Sequence, residues 1–230
     1  MNKTKIEWCD WTWNPIVGCS PVSAGCQNCY AAAISKRYGF PWGQPVFMPE
    51  RLVEPLKVKE PARIFVCSMS DFFHEKVLRE WKEAVFKVME SASQHTFILL
   101  TKRPENVMSW WVELPNVWLG VTAENQAAVN SRLPILRKIT AAVRFVSVEP
   151  MLEPVIVWPE VDWVIAGPET GPRARRCSGE WIDALAADSK CFFDKRKEGW
   201  GRREWPNATA QGRAVASTLQ QIVGNSGGDK

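Results

Sequence analysis

Residues 64–74 read IFVCSMSDFFH: the apolar run Ile64–Cys67 passes directly into Ser68, Met69, Ser70 and Asp71. An apolar run this short suits a strand covered on both faces. The pattern returns at Phe97–Leu100 (FILL), Val117–Val121 (VWLGV), Arg144–Val148 (RFVSV) and Trp163–Ala166 (WVIA), and more weakly at Cys191–Phe193. Between the runs, Lys76–Ala92 sets Val77, Leu78, Trp81, Val85, Val88 and Met89 at helical spacing. Gln126–Arg137 and Gly179–Ala187 are further helix candidates. Strands alternating with helices predict an α/β fold with a parallel sheet. A closed eight-stranded barrel takes ~250 residues, so the expectation is a partial (incomplete) parallel β/α barrel of about six βα units.

Each run ends in polar residues. Ser68, Ser70, Asp71 and His74 follow the first; Thr101, Lys102 and Arg103 the second; Thr122, Glu124 and Asn125 the third; Glu149 the fourth; and Glu169 with Thr170 the fifth. In a parallel barrel these ends converge on one mouth, where ligands bind. Taken singly, Thr101 or Thr122 reads equally as a helix cap, Glu149 and Glu169 as turn carboxylates, and His74 as a structural hydrogen-bond partner. Lys102, following a buried strand, is the stronger candidate to touch a substrate.

The chain has 230 residues, 46% of them hydrophobic and 23% charged, which excludes disordered and fibrous classes. No apolar run approaches the roughly 20 residues of a membrane span, and the start MNKTKIEWCD lacks a signal peptide's apolar stretch. A cytoplasmic address and no membrane partner are expected. In that compartment seven cysteines point to metal binding or chemistry rather than a disulfide framework.

Met1–Glu169 carries 18 Lys+Arg against 18 Asp+Glu, and Thr170–Lys230 carries 11 against 7, so the whole excess of +4 lies in the last quarter. Arg173, Arg175, Arg176, Lys195, Arg196, Lys197, Arg202 and Arg203 form a candidate nucleic-acid surface, with Trp200 and Trp205 interleaved for stacking on bases. The same run reads alternatively as a solvated face. The chain is expected to divide into a barrel, 1–195, and a basic extension, 196–230, with a helix at Arg213–Val223 and a flexible GNSGGDK tail.

Gly18–Ala31 reads GCSPVSAGCQNCYA and spaces Cys19, Cys26 and Cys29 as C-x6-C-x2-C. A loop containing Gly and Pro lets three thiolates converge. Three ligands suffice for a 4Fe-4S cluster with one open iron, the requirement for reductive cleavage of S-adenosylmethionine. A structural zinc site with Cys9 as fourth ligand is the alternative that spacing leaves open.

The segments IEWCDWTWNPIVGCSPVSAGCQNCYA, FVCSMSDFFHE, ILLTKRPENV, VWLGVTAENQ, RFVSVEP and WVIAGPETGPRAR together resemble a short radical S-adenosylmethionine family of phages and bacteria, from Ile6 to about Phe193. The resemblance implies a radical-SAM partial barrel, a 4Fe-4S cluster on Cys19, Cys26 and Cys29, S-adenosylmethionine as cofactor and an external electron donor. It puts Ser68, Met69, Ser70 and Asp71 beside the cofactor's methionine end, Glu124 and Asn125 near its ribose, and Glu149 and Glu169 further round the mouth. Lys102 and His74 are the catalytic candidates. The chain departs from the family pattern in having Cys9 where Thr is usual, GPETG for GGESG, and FFDKRKEGWG for FFKQWG. With the basic segment, the family's phage character suggests a modified base in DNA as substrate, for example isomerisation of an N-linked glycyl-thymidine to the C-linked form. Repair of a DNA lesion, or a zinc-stabilised nucleic-acid-binding module without catalysis, are the alternatives.

Overall fold

The computed structural model describes residues 1–108, 113–158, 160–196 and 201–207. In chain order the strands are β1 (Asn2–Lys3), β2 (Trp11–Trp13), β3 (Ile16–Val17), β4 (Val46–Phe47), β5 (Arg63–Val66), β6 (Thr96–Thr101), β7 (Val117–Thr122), β8 (Val143–Val148), β9 (Trp163–Ala166) and β10 (Phe192–Asp194). The helices are α1 (Tyr30–Tyr38), α2 (Arg79–Ser91), α3 (Gln126–Arg137) and α4 (Gly179–Asp188). Eight strands form one sheet in the order β1-β2-β5-β6-β7-β8-β9-β10, and β3 pairs with β4 in a separate ribbon. Among the described strands of the large sheet, β1 runs antiparallel to its neighbour and the pairs from β2 to β10 are all parallel. The α/β class is therefore as expected, with seven parallel strands in place of about six, and the sheet does not close.

Side chains alternate between the two faces because successive residues of a strand point to opposite sides. Ile64, Val66, Phe97, Leu99, Val117, Leu119, Val121, Val146 and Val148 pack under Val85 and Met89 of α2, Val129 and Leu133 of α3, and Ile182 and Leu185 of α4. On the other face, Phe65, Ile98, Trp118, Phe145, Trp163, Ile165 and Phe193 join Trp8 and Cys9 in a second cluster. The Trp8 ring lies 4.8 Å from Phe65 on β5 and 6.4 Å from Trp163 on β9. In a flat sheet those strands would stand roughly 19 Å apart, four spacings of about 4.8 Å. One indole reaches both because the sheet curls round it. Gly120 makes the curl possible, since a Cβ there would sit 2.4 Å from the Phe145 ring.

Residues 201–207 lie along the outer edge of β10. Asp194 N–H donates to the Arg202 carbonyl at 2.8 Å and Glu204 N–H to that of Phe192 at 2.9 Å. The indole N–H of Trp205 reaches the Trp8 carbonyl at 3.1 Å, and its ring lies 4.3 Å from the Arg63 guanidinium. The described part of the expected extension is thus built onto the sheet. Trp200, Lys197, the helix expected at Arg213–Val223 and the tail lie outside the described residues. Among the described residues no helix is long and apolar enough to cross a membrane.

The helix expected from Lys76 begins at Arg79 instead, because the Val77 N–H is already taken by the His74 carbonyl in a turn. The helix α1 and the short strands β1 to β4 have no counterpart among the elements expected from sequence.

Candidate active site

A cavity of about 520 Å³ opens at the C-terminal ends of the parallel strands. Cys19, Cys26 and Cys29 all line it, on the loop that joins β3 to α1. So do Ser68, Ser70 and Asp71 after β5, Lys102 and Arg103 after β6, Thr122 on β7, Ser147 and Glu149 from β8, Glu169 after β9 and Lys195 after β10. The expected convergence of the strand ends on one mouth is met.

What most of those strand-end groups hold is the cysteine loop itself. Gly18 opens the loop at φ 85°, where a Cβ would collide with the Gln44 carbonyl at 2.2 Å. Its N–H donates to the Met69 carbonyl at 3.0 Å, and its own carbonyl accepts from Ser70 Oγ at 2.5 Å. Arg103, only 4% exposed, donates through Nη2 to the carbonyl and hydroxyl of Ser20, at 2.9 and 3.1 Å. Its Nη1 lies 3.8 Å from Cys19 Sγ and 3.3 Å from Asp71 Oδ2. Further along, Glu124 accepts from Gly25 N–H at 3.3 Å and from Arg132 at 2.8 Å. Glu169 accepts from Asn28 Nδ2 at 2.9 Å and from Arg175 through Nε and the backbone N–H, both at 2.8 Å. Arg175 in turn donates to the Ala24 carbonyl at 3.0 Å. Tyr30 Oη closes the series on the Ser68 carbonyl at 2.8 Å.

These contacts account for several of the expected site residues. Glu124, Asn125, Met69 and His74 do not line the cavity. Glu124 is committed to Gly25 and Arg132, and Asn125 caps α3 by accepting from Ala128 N–H at 2.9 Å. His74 is fully buried behind the loop. Its Nδ1 accepts from Lys76 N–H, which leaves the proton on Nε2 to be donated to Ser20 Oγ at 2.8 Å. Burial, aided by the Arg103 charge, lowers the His74 pKa and keeps the ring neutral. Asp71 lines the cavity, but its carboxylate already accepts from Phe73 N–H, Thr101 Oγ1, Lys102 N–H and Arg103. Sequence reasoning does not distinguish Arg103 from its neighbour. The signal available for it is the Pro104 that follows, which starts a short 3-10 turn (Pro104–Asn106) and fixes the guanidinium's approach.

Lys102, by contrast, reaches the cavity wall with Nζ 3.5 Å from Thr122 Oγ1. Glu149 and Lys195 form an ion pair within the cavity. Burial opposes ionisation of Cys26, but hydrogen bonds from the Val22 and Ser23 backbones and the Lys102 charge bring its thiol below the ordinary value. Burial and the Asp71 carboxylate push Cys19 up, against Arg103. Cys9 lies in the aromatic cluster, pushed up to about 12 chiefly by burial, and does not line the cavity. Cys67, which ends the apolar run 64–67, is buried but also faces the cavity, with the left-handed φ of 58° that is unusual for a residue bearing a Cβ. Among the described residues no three His, Cys, Asp or Glu side chains converge tightly enough to hold a single metal ion.

The basic segment is largely neutralised from within. Arg175 pairs with Glu169, Lys195 with Glu149, Arg196 with Asp183 and Asp194, Arg202 with Glu204, and Arg203 with Glu7. Arg196, Arg202 and Arg203, named above as candidates for a nucleic-acid surface, are thus each paired with an acidic side chain of the same fold. Arg173 and Arg176 stay exposed near the Glu169–Arg175 clasp.

The family model described as "Protein of unknown function (DUF5131)" matches residues 3–221. No curated protein and no solved structure matches the chain.

Proposed function

The chain belongs to the DUF5131 family, and from the make-up of its cavity we propose that it is a radical S-adenosylmethionine enzyme. The observation that carries this reading is that Cys19, Cys26 and Cys29 share one cavity at the C-terminal mouth of a curled, open, parallel sheet. The sheet is read as the partial barrel of that enzyme class. An all-thiol donor set suits iron-sulfur chemistry. A structural zinc ion prefers four ligands, and Cys9, the fourth thiol that the spacing offers, does not line the cavity. When bound and reduced, such a cluster supplies an electron that splits the sulfur to C5′ bond of S-adenosylmethionine and leaves a 5′-deoxyadenosyl radical.

The chain's own residues prepare that chamber. Arg103, Glu124, Glu169 and Ser70 fix the cysteine loop at four separate points, so the thiols need little reorganisation to bind iron. Ser68, Ser70 and Glu149 line the wall beside them and are the groups proposed to meet the cofactor, with Lys102 the catalytic candidate next to them. Lys102 presents an ammonium suited to a carboxylate, and the buried aromatic floor excludes water.

The substrate we propose is a modified base in DNA, its carbon skeleton isomerised after hydrogen abstraction. The exposed Arg173 and Arg176, either side of Arg175 in sequence, support a polyanionic partner. The test is anaerobic reconstitution with iron and sulfide, dithionite reduction, and measurement of 5′-deoxyadenosine from added S-adenosylmethionine. Product from the parent and none from Cys26→Ala is the expected result; a colourless, zinc-loaded protein that leaves the cofactor intact overturns it.

A further inference from the structure

The three most exposed aromatic side chains among the described residues are Tyr38 (62%), Tyr30 (49%) and Phe40 (41%). All three lie on α1 or just beyond its end. Helical spacing sets Tyr30, Ile34 and Tyr38 on one stripe, its ends about 12 Å apart along the axis. The rings of Tyr38 and Phe40 lie 6.2 Å apart with their planes at 34°, too tilted and too distant to cover each other. Their position is fixed all the same. The N–H groups of Gly39 and Phe40 both donate to the Ser35 carbonyl, and Gly43 N–H donates to the Cys19 carbonyl at 3.0 Å.

Charge defines what would cover these rings. Trp11–Pro49 contains no acidic residue, and its two cations, Lys36 and Arg37, sit beside Tyr38. Both are exposed, and among the described residues no carboxylate pairs with either. The Arg37 guanidinium lies 5.4 Å from the Tyr38 ring. This contrasts with Arg196, Arg202 and Arg203, whose charges are met within the fold. The surface also leads somewhere. Tyr30 and Ala32 line the cavity, and the Arg173 carbonyl, on another exposed arginine, accepts from Asn28 just before α1. A duplex offers phosphates but keeps its base faces stacked inside, whereas a single strand offers both. A helix lying on a membrane needs a broad apolar face, and the exposed part of α1 carries Ala33 and two cations between its rings.

We propose that the outer face of α1, with Phe40, is a docking track for single-stranded nucleic acid: Tyr38 and Phe40 stack on bases, and Lys36 and Arg37 meet phosphates. It rests on the reading of DNA as the partner and adds the form of that partner, an unpaired strand, and the surface along which it reaches the cavity.

The experiment is fluorescence anisotropy of the full chain, without iron or cofactor, with a labelled oligothymidylate of about 12 nucleotides, within the usual single-strand site size. A duplex of the same length and co-sedimentation with phosphatidylglycerol vesicles are the comparisons. The single strand should bind at least tenfold more tightly than the duplex. Tyr38→Ala and Phe40→Ala should each weaken it about tenfold, the size of one lost stacking contact, and Tyr38→Phe should bind like the parent. Lys36→Gln and Arg37→Gln should each lower the salt slope by about 0.7, which the ring variants leave unchanged. Unfolding temperatures should match the parent, because these side chains are exposed. Equal affinity for the duplex, unchanged affinity in both alanine variants, or preference for the vesicles overturns the proposal. Binding that survives the α1 changes but is lost in Arg173→Gln removes this track and leaves the DNA reading standing, whereas no binding of either DNA removes that reading itself. The 5′-deoxyadenosine assay is independent of both.

Discussion

Arg103 Nη1 stands between Cys19 Sγ, 3.8 Å away, and Asp71 Oδ2, 3.3 Å away, so one buried guanidinium ties a cysteine of the loop to a carboxylate beyond β5. Its Nη2 holds Ser20, and its Nε pairs with Glu75 at 3.0 Å. Replacing Arg103 by Ala leaves Asp71 buried, 6% exposed, without its cation. Breaking such a pair costs about 3–5 kcal/mol. Urea unfolding of Arg103→Ala should show a loss of that order. Arg103→Lys should recover only part of it, because an ammonium cannot satisfy Ser20 and Asp71 in the fork geometry of a guanidinium.

Glu169 gives a pH signature. Hydrogen bonds from the Arg175 side chain, with its backbone N–H and Asn28, outweigh burial and hold the Glu169 carboxyl at about 2. A carboxyl depressed in the folded state stabilises fully above its unfolded pKa and loses that contribution as the pH falls through its folded value. The parent should therefore be more stable than Glu169→Gln at pH 7. The difference should shrink between about 4.5 and about 2 and be gone below. Denaturant midpoints of both proteins over that range check it.

Gly120→Ala should destabilise the sheet by about 1–3 kcal/mol through overpacking. The added Cβ would lie 2.4 Å from the Phe145 ring. A second change, Phe145→Leu, opens room for that Cβ. In a thermal double-mutant cycle the pair should be less destabilised than the sum of the single changes.

The distribution of internal ion pairs predicts which cations meet a polyanion. Arg173→Gln and Arg176→Gln should each weaken binding of a DNA oligonucleotide and flatten its dependence on salt, the slope falling by about one for every phosphate no longer neutralised. Arg202→Gln should instead lower stability with little change in DNA affinity, since that guanidinium serves Glu204 and the carbonyls of Ala186 and Ser189. Fluorescence anisotropy at several salt concentrations separates the two behaviours.

Strands β5 to β9 are legible in the sequence because they are buried on both faces and therefore read as largely apolar runs. The Trp11–Trp13 strand is not, since Thr12 interrupts it and it is only three residues long. The helix α1, YAAAISKRY, buries only Ala31 and Ser35, so it leaves no apolar stripe to find. At the site, the polar residues after each strand can be read as facing one mouth, because strand direction alone determines that. Whether Glu124 faces a ligand or Gly25 depends on where a loop 99 residues away in the chain folds back. Local pattern carries no such information. For the same reason, local pattern does not reveal that His74 holds the loop through Ser20 or that Asn125 caps α3.

The floor of packed rings beneath the cavity, with Trp163 and Phe145 fully buried, has a kinetic consequence. Among the described residues it backs the inner side of the chamber with packed rings. A group seated against that floor would be covered by anything bound nearer the mouth, so two occupants of this chamber should load with the inner one first.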